Sequence, residues 1–176
     1  MTGSVNIQVM SAPLLYTVTG GGAYCATQVA GTAIELSGSE TGVSYEVYLN
    51  GSVLPGTSVT GTGSPMLLGN FVQPGTYTVI GTRLSTGCNY PMNGSVIISV
   101  LAASNWYADS DNDGFGDLAT RIASCSQPTG FVSDSSDCND NNAATYPGAT
   151  EICGNGIDDD CDGQIDENCP TNITVR

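Results

Sequence analysis

Two stretches of the chain place carboxylates at alternate positions and then a glycine. Asp109-Ser110-Asp111-Asn112-Asp113-Gly114-Phe115-Gly116-Asp117 puts Asp at the first, third, fifth and ninth positions of a loop, with Gly at the sixth. Asp158-Asp159-Asp160-Cys161-Asp162-Gly163-Gln164-Ile165-Asp166 repeats that spacing. Alternate side chains of such a loop turn inward, the glycine permits the sharp bend, and the carbonyl of the next residue, Phe115 or Gln164, adds an uncharged oxygen. An oxygen-only shell of this kind suits a hard cation such as Ca²⁺, which takes ligands at roughly 2.3–2.6 Å. The spacing therefore predicts Ca²⁺, two or more ions. Asp109, Asp111, Asp113, Phe115 and Asp117 are the ligands in one loop, and Asp158, Asp160, Asp162, Gln164 and Asp166 in the other.

A third acidic cluster lies between them. Asp137, Asn139 and Asn141 alternate, and Asp140 or Glu151 either completes a site there or bridges to a neighbouring one. The twelfth loop position, a bidentate Glu in a helix–loop–helix calcium sensor, is Thr120 in the first loop and Cys169 in the second. No flanking helices are evident. The missing ligands must come from elsewhere in the chain or from water.

Composition removes other chemistries. The formal net charge is −14, with three arginines and neither lysine nor histidine. Nothing offsets phosphate charge, so nucleic acid is not an expected partner, and an anionic membrane surface is disfavoured for the same reason. Without histidine there is no Ser-His or Cys-His nucleophile pair. The dense carboxylates are already assigned to cation loops, so the chain is not expected to be an enzyme. No segment approaches the ~18 apolar residues of a membrane span.

The acids also mark a boundary. Residues 1–103 hold Glu35, Glu40 and Glu46 against Arg83, whereas residues 104–176 hold twelve Asp and two Glu against two Arg. The expected organisation is a first domain over 1–103, an acidic Cys-containing repeat segment over 104–170, and a linker or next strand over 171–176. Seven cysteines accompany them. With no Cys-x-x-Cys pair and no His, disulfides in an exported protein are the expected state. A Cys25–Cys88 bridge would tie loops at one end of the first domain, and sequence proximity suggests Cys125–Cys138 and Cys153–Cys161, leaving Cys169, although five cysteines do not fix the connectivity. The chain reads as a segment of a larger secreted protein.

These elements must be positioned by a scaffold. Short apolar or alternating runs separated by turn residues predict strands at 14–19, 33–37, 44–49, 66–71, 76–82 and 95–101, with another at 5–10. Asn50-Gly51 is a two-residue hairpin signal. Six or seven short strands predict a mainly β chain with an immunoglobulin-like β-sandwich, in which Tyr77, after Pro74-Gly75, forms a tyrosine corner. The acidic segment has few large apolar residues, so it is expected to be loop-rich and held by disulfides and calcium.

Two resemblances accompany this reading. Tyr16–Cys25, Leu36–Tyr45 and Gly75–Val79 resemble immunoglobulin-like repeats of large bacterial cell-surface proteins exported by the type IX route, some of them adhesins. The resemblance implies a spacer or adhesive module. Trp106 to Asp117 resembles a thrombospondin type 3-like calcium repeat. Cys125 to Asp166 resembles a repeat of secreted bacterial proteins catalogued as a metal-binding motif, whose label sometimes names copper. The acidic segment has neither His nor Met, so the usual soft-metal ligands are missing.

The expected function is a calcium-binding structural or adhesion module at the cell surface or outside the cell. Calcium would rigidify the acidic loops and the joint with neighbouring domains of a larger chain. The competing reading is a carbohydrate- or surface-recognising module that uses the sandwich loops, with Tyr24, Tyr45, Tyr48 and Tyr90 as candidate aromatics. Asn50-Gly51-Ser52, Asn93-Gly94-Ser95 and Asn172-Ile173-Thr174 match glycosylation sequons.

Overall fold

The computed structural model describes residues 10–170. Most of the expected strand at 5–10, and the tail 171–176, lie outside them. The chain forms two compact units, Met1–Leu101 and Ala102–Arg176.

The first unit is a sandwich of two sheets. One contains β1 (Val18–Gly20), β3 (Thr32–Leu36) and β7 (Met66–Phe71), in the order β1-β3-β7. The other runs β2 (Gly22–Cys25), β10 (Val96–Leu101), β8 (Gly75–Arg83), β4 (Val43–Leu49), β5 (Ser52–Val53). Two short strands flank it: β6 (Val59–Thr60) on β4 and β9 (Asn89–Pro91) on β8. The first strand is shared between the sheets. β1 pairs antiparallel with β3, then β2 crosses over and pairs parallel with β10. Gly20, Gly21 and Gly22 make that crossing at φ 94°, 70° and 110°, a region that side chains other than glycine's rarely adopt. A Cβ on Gly20 would also stand 2.2 Å from the Ala33 carbonyl oxygen. This arrangement is immunoglobulin-like.

Alternation places the core. Val43, Tyr45 and Val47 on β4 and Tyr77 and Val79 on β8 are buried, and the residues between them are not. Val18, Ile34, Leu36, Leu68, Met92 and Ile98 close the same cluster. The Tyr77 hydroxyl donates to the Gln73 carbonyl at 2.7 Å, as the Pro74-Gly75 turn predicts for a tyrosine corner. Asn50 and Gly51 turn β4 into β5 with φ 50° and 82°. Tyr45 is fully buried and its hydroxyl accepts from the Glu40 backbone N–H. It is therefore removed from the set of candidate reader aromatics, whereas Tyr90 is 46 % exposed.

The second unit has little regular structure. β11 (Ser104–Ala108) pairs antiparallel with β12 (Ile122–Ser124) and β13 (Phe131–Val132), and a 3-10 turn spans Leu118–Thr120. Among the described residues the buried hydrophobic side chains all lie in the first unit, while the second buries Thr145 and Asp159. Disulfides stand in for a core: Cys138 is bonded to Cys161, and Cys153 to Cys169.

That connectivity corrects the pairing by proximity. Cys125–Cys138 and Cys153–Cys161 do not form, because the loops bring Cys161 to Cys138 and Cys169 back to Cys153. Cys88 is a free thiol, so Cys25–Cys88 does not form either. Cys25 and Cys125 are also disulfide-bonded.

Candidate metal centre

The two Asp-rich loops close with the same four hydrogen bonds. In the first, Asp113 N–H donates to Asp109 Oδ1 at 3.2 Å and Asp111 Oδ1 at 3.3 Å, Gly114 N–H to Asp109 Oδ2 at 3.2 Å, and Phe115 N–H to Asp113 Oδ1 at 2.9 Å. In the second, Asp162 N–H donates to Asp158 Oδ1 at 3.1 Å and Asp160 Oδ1 at 3.2 Å, Gly163 N–H to Asp158 Oδ2 at 2.9 Å, and Gln164 N–H to Asp162 Oδ1 at 2.8 Å. The loop bend at Gly114 and Gly163 has φ 101° and 91°. Equal spacing in sequence has become equal geometry.

Carboxylate oxygens of Asp109, Asp111 and Asp113 gather within 4.8 Å of one another, and so do those of Asp158, Asp160 and Asp162. Each set is extended by residues outside its loop. Asp137 and Asp140 join Asp111, while Glu151 and Glu167 join Asp160. The third acidic segment is thus a partner of the first loop. Asp140 is fixed there by Ser110, whose N–H and hydroxyl donate to its two oxygens at 2.8 and 2.7 Å. An open cleft of about 380 Å³ at this place is lined by Asp117, Asn139 and Asn141 as well. Asp117 also caps the 3-10 turn through Ala119 N–H at 2.8 Å.

Not every expected ligand faces a cluster. Asp166 turns to the Gly154 and Gly156 N–H groups at 2.6 and 3.3 Å. Glu151 accepts from Asp159, Asp160 and Asp166 N–H groups while still meeting Asp160 and Glu167. Two residues escaped the sequence reading. Glu167 lies one position past the ninth loop residue, where the sensor template has no ligand. Asp159 stands at an even loop position and points inward, 1 % exposed, accepting from Ile152 N–H and Asn155 Nδ2 at 2.9 and 2.8 Å. The acid at each of these positions was the available signal.

The electrostatics call for positive charge. Burial, then the charges of Asp111, Asp109 and Asp140, pushes the Asp113 carboxyl above its usual range, against a bond from Phe115 N–H. Asp137 rises for the same reasons, with Asp113, Asp111 and Asp140 as its neighbours. Asp160 rises through burial and the charges of Asp162, Glu151 and Asp158. Asp111 Oδ2, Asp113 Oδ2, Asp137 Oδ2 and both carboxylate oxygens of Glu167 are buried without a hydrogen-bond partner. Buried polar atoms are rarely left so, because desolvation without compensation is costly.

A cation at each cluster would satisfy these atoms, so the residues present fit metal ions. They fit a hard one. The chain lacks His, the second unit lacks Met, and Cys125, Cys138, Cys153, Cys161 and Cys169 are in disulfides.

Comparison with known proteins agrees at the level of class. Residues 137–167 match the family described as "Putative metal-binding motif". The match takes in the third segment and the whole second loop, and stops short of the first loop. No curated protein and no solved structure matches the chain. Family match, ligand set and disulfides together define a metal-binding module in the second unit.

Proposed function

We propose that the metal is Ca²⁺ and that the chain is a non-enzymatic, calcium-stiffened module of a large secreted or cell-surface bacterial protein, with the sandwich as spacer or adhesive domain. The orphaned carboxylate oxygens of Asp111, Asp113, Asp137 and Glu167 carry this reading. Asp109, Asp111, Asp113, Asp137 and Asp140 would hold calcium at the first loop, and Asp158, Asp160, Asp162, Glu151 and Glu167 at the second. The bound ions would supply positive charge where the fold concentrates negative charge. The disulfides fit an oxidising compartment, and among the described residues no helix is long and apolar enough to cross a membrane. The resemblances to thrombospondin type 3-like repeats and to type IX-exported surface repeats point the same way.

The test is a calorimetric titration of chelator-stripped, non-reduced protein with Ca²⁺, with Mg²⁺ and Cu²⁺ in parallel, and a melting curve at each end point. Saturable Ca²⁺ binding at two or more sites with a raised Tm is expected. No calcium heat and an unchanged melt, or tighter binding of copper, overturns the reading.

A further inference from the structure

We propose that the two cation clusters bind as one cooperative unit, joined by the Cys138–Cys161 disulfide. The proposal rests on the calcium reading and concerns how its sites are regulated. The bond has an unusual position. Cys138 directly follows Asp137, which belongs to the first-loop cluster, and Cys161 lies between Asp160 and Asp162 of the second. Their Cα atoms are 5.7 Å apart although 23 residues separate them in sequence. A ligand segment of one cluster is therefore covalently attached to the ligand segment of the other.

The backbone at Cys161 shows why the attachment matters. Cys161 has φ 57°, and the residue at the same loop position in the first loop, Asn112, has φ 66°. Asparagine visits this left-handed region readily, whereas cysteine has no local hydrogen bond to offset the steric penalty. The second loop thus holds its Asp160–Asp162 turn with a residue poorly suited to it, tied down through its sulfur. A second path runs beside the disulfide. The Phe115 ring of the first loop stacks on Tyr146 with centroids 5.7 Å apart. Tyr146 N–H donates to the Asp159 carbonyl at 3.0 Å and Gly148 N–H to that of Asp160 at 3.1 Å.

A cation in the first cluster draws Asp137 and Asp140 against Asp111. That fixes Cys138, and through it the Cys161 turn on which Asp160 and Asp162 depend. The second cation then meets ligands already ordered, and the ordering is not repeated. Linkage makes the effect reciprocal.

The experiment follows the backbone amide signals of Gly114 and Gly163 separately by NMR during Ca²⁺ titration of the full chain. In the disulfide-intact protein, Asp113→Asn should weaken binding reported by Gly163, and Asp158→Asn should weaken binding reported by Gly114. Each effect is expected to be roughly 5- to 150-fold. In a Cys138→Ser, Cys161→Asn background, which puts a residue suited to the turn at position 161, both loops should still bind and the cross-effects should shrink severalfold, to what the Phe115–Tyr146 path carries.

Two independent binding curves in the intact protein overturn the proposal. Cross-effects of undiminished size without the disulfide overturn the bond as the link. If the cysteine variant does not fold, the two aspartate variants in the intact chain decide alone. Absence of any Ca²⁺-dependent shift in the parent protein overturns the calcium reading itself and is distinguishable from independent binding.

Discussion

Removal of the Cys153–Cys169 bond, by Cys153→Ser with Cys169→Ser, should turn the second unit into a calcium-dependent fold. The bond closes a 16-residue separation, which the chain-entropy account values at about 3 kcal/mol. Small units have only ~5–15 kcal/mol in total, and this one buries Thr145 and Asp159 in place of large apolar side chains. For a unit of this size about 3 kcal/mol corresponds to a fall of roughly 12–24 °C in Tm. Free Ca²⁺ at a hundredfold excess over its Kd returns about 2.7 kcal/mol per site, so one filled site nearly offsets the lost bond and two exceed it. Trp106, the chain's one tryptophan, lies in this unit and donates its indole N–H to the Ser124 carbonyl at 3.1 Å, so its fluorescence reports the unit directly. The variant should melt far below the parent in chelator, and in saturating Ca²⁺ it should rise to about where the parent melts in chelator. Equal melts in chelator would refute the idea that loop closure replaces a core here. A variant that calcium does not rescue would refute the claim that the folded unit alone binds the ion.

Three further outcomes are expected. Glu167→Gln removes a carboxylate whose two oxygens are both buried and unpartnered; calorimetry should show weakened Ca²⁺ binding at the second loop with the first unaltered in affinity at saturation of the second. Tyr77→Phe deletes the bond to the Gln73 carbonyl at a fully buried position, which should lower sandwich stability by about 1–2 kcal/mol in urea unfolding. Glu40 accepts from Leu14 N–H and pairs with Arg83 at 2.8 Å, while Arg83 donates to the Ser11 and Ala12 carbonyls. The Leu14 bond, then Arg83, holds the Glu40 carboxyl below its ordinary value of 4.5. A lowered folded pKa means the stabilisation is present above the ordinary carboxylate range and is lost as pH falls through the folded value. The protection of the Leu14 amide against hydrogen exchange, relative to its intrinsic rate, should be lost as pH falls through the lowered Glu40 value in the parent and be absent at all pH values in Glu40→Gln.

The legible part of the structure was the part written in local periodicity. The alternation around Tyr45 and Tyr77 gave the central strands, Asn50-Gly51 gave a hairpin, and the Asp-x-Asp-x-Asp-Gly spacing gave two loops with matching hydrogen bonds. What stayed hidden depends on distant partners. β2, β5, β6 and β9 are short and exist through their neighbours. The disulfides join Cys138 to Cys161 and Cys153 to Cys169 because loop closure decides which sulfurs meet, and sequence distance does not. For the Asp137 segment the spacing left open a third site or a bridge to a neighbour, and the folded chain decides it by bringing Asp137 and Asp140 to Asp111. Glu167 was passed over because it stands at the tenth loop position, where the sensor template places no ligand.

The strand shared between the sheets has a mechanical consequence. β2 and β10 are parallel and paired from Gly22–Ile98 to Cys25–Leu101. Force applied at Gly22 and Leu101 loads such a parallel pair along its length, in shear, so the rungs between the strands carry force together. An antiparallel hairpin loaded at its open end would yield rung by rung, as a zipper does. The glycine crossing at 20–22, which first serves to move the chain from sheet to sheet, thereby sets β2 beside β10, where such tension is resisted collectively.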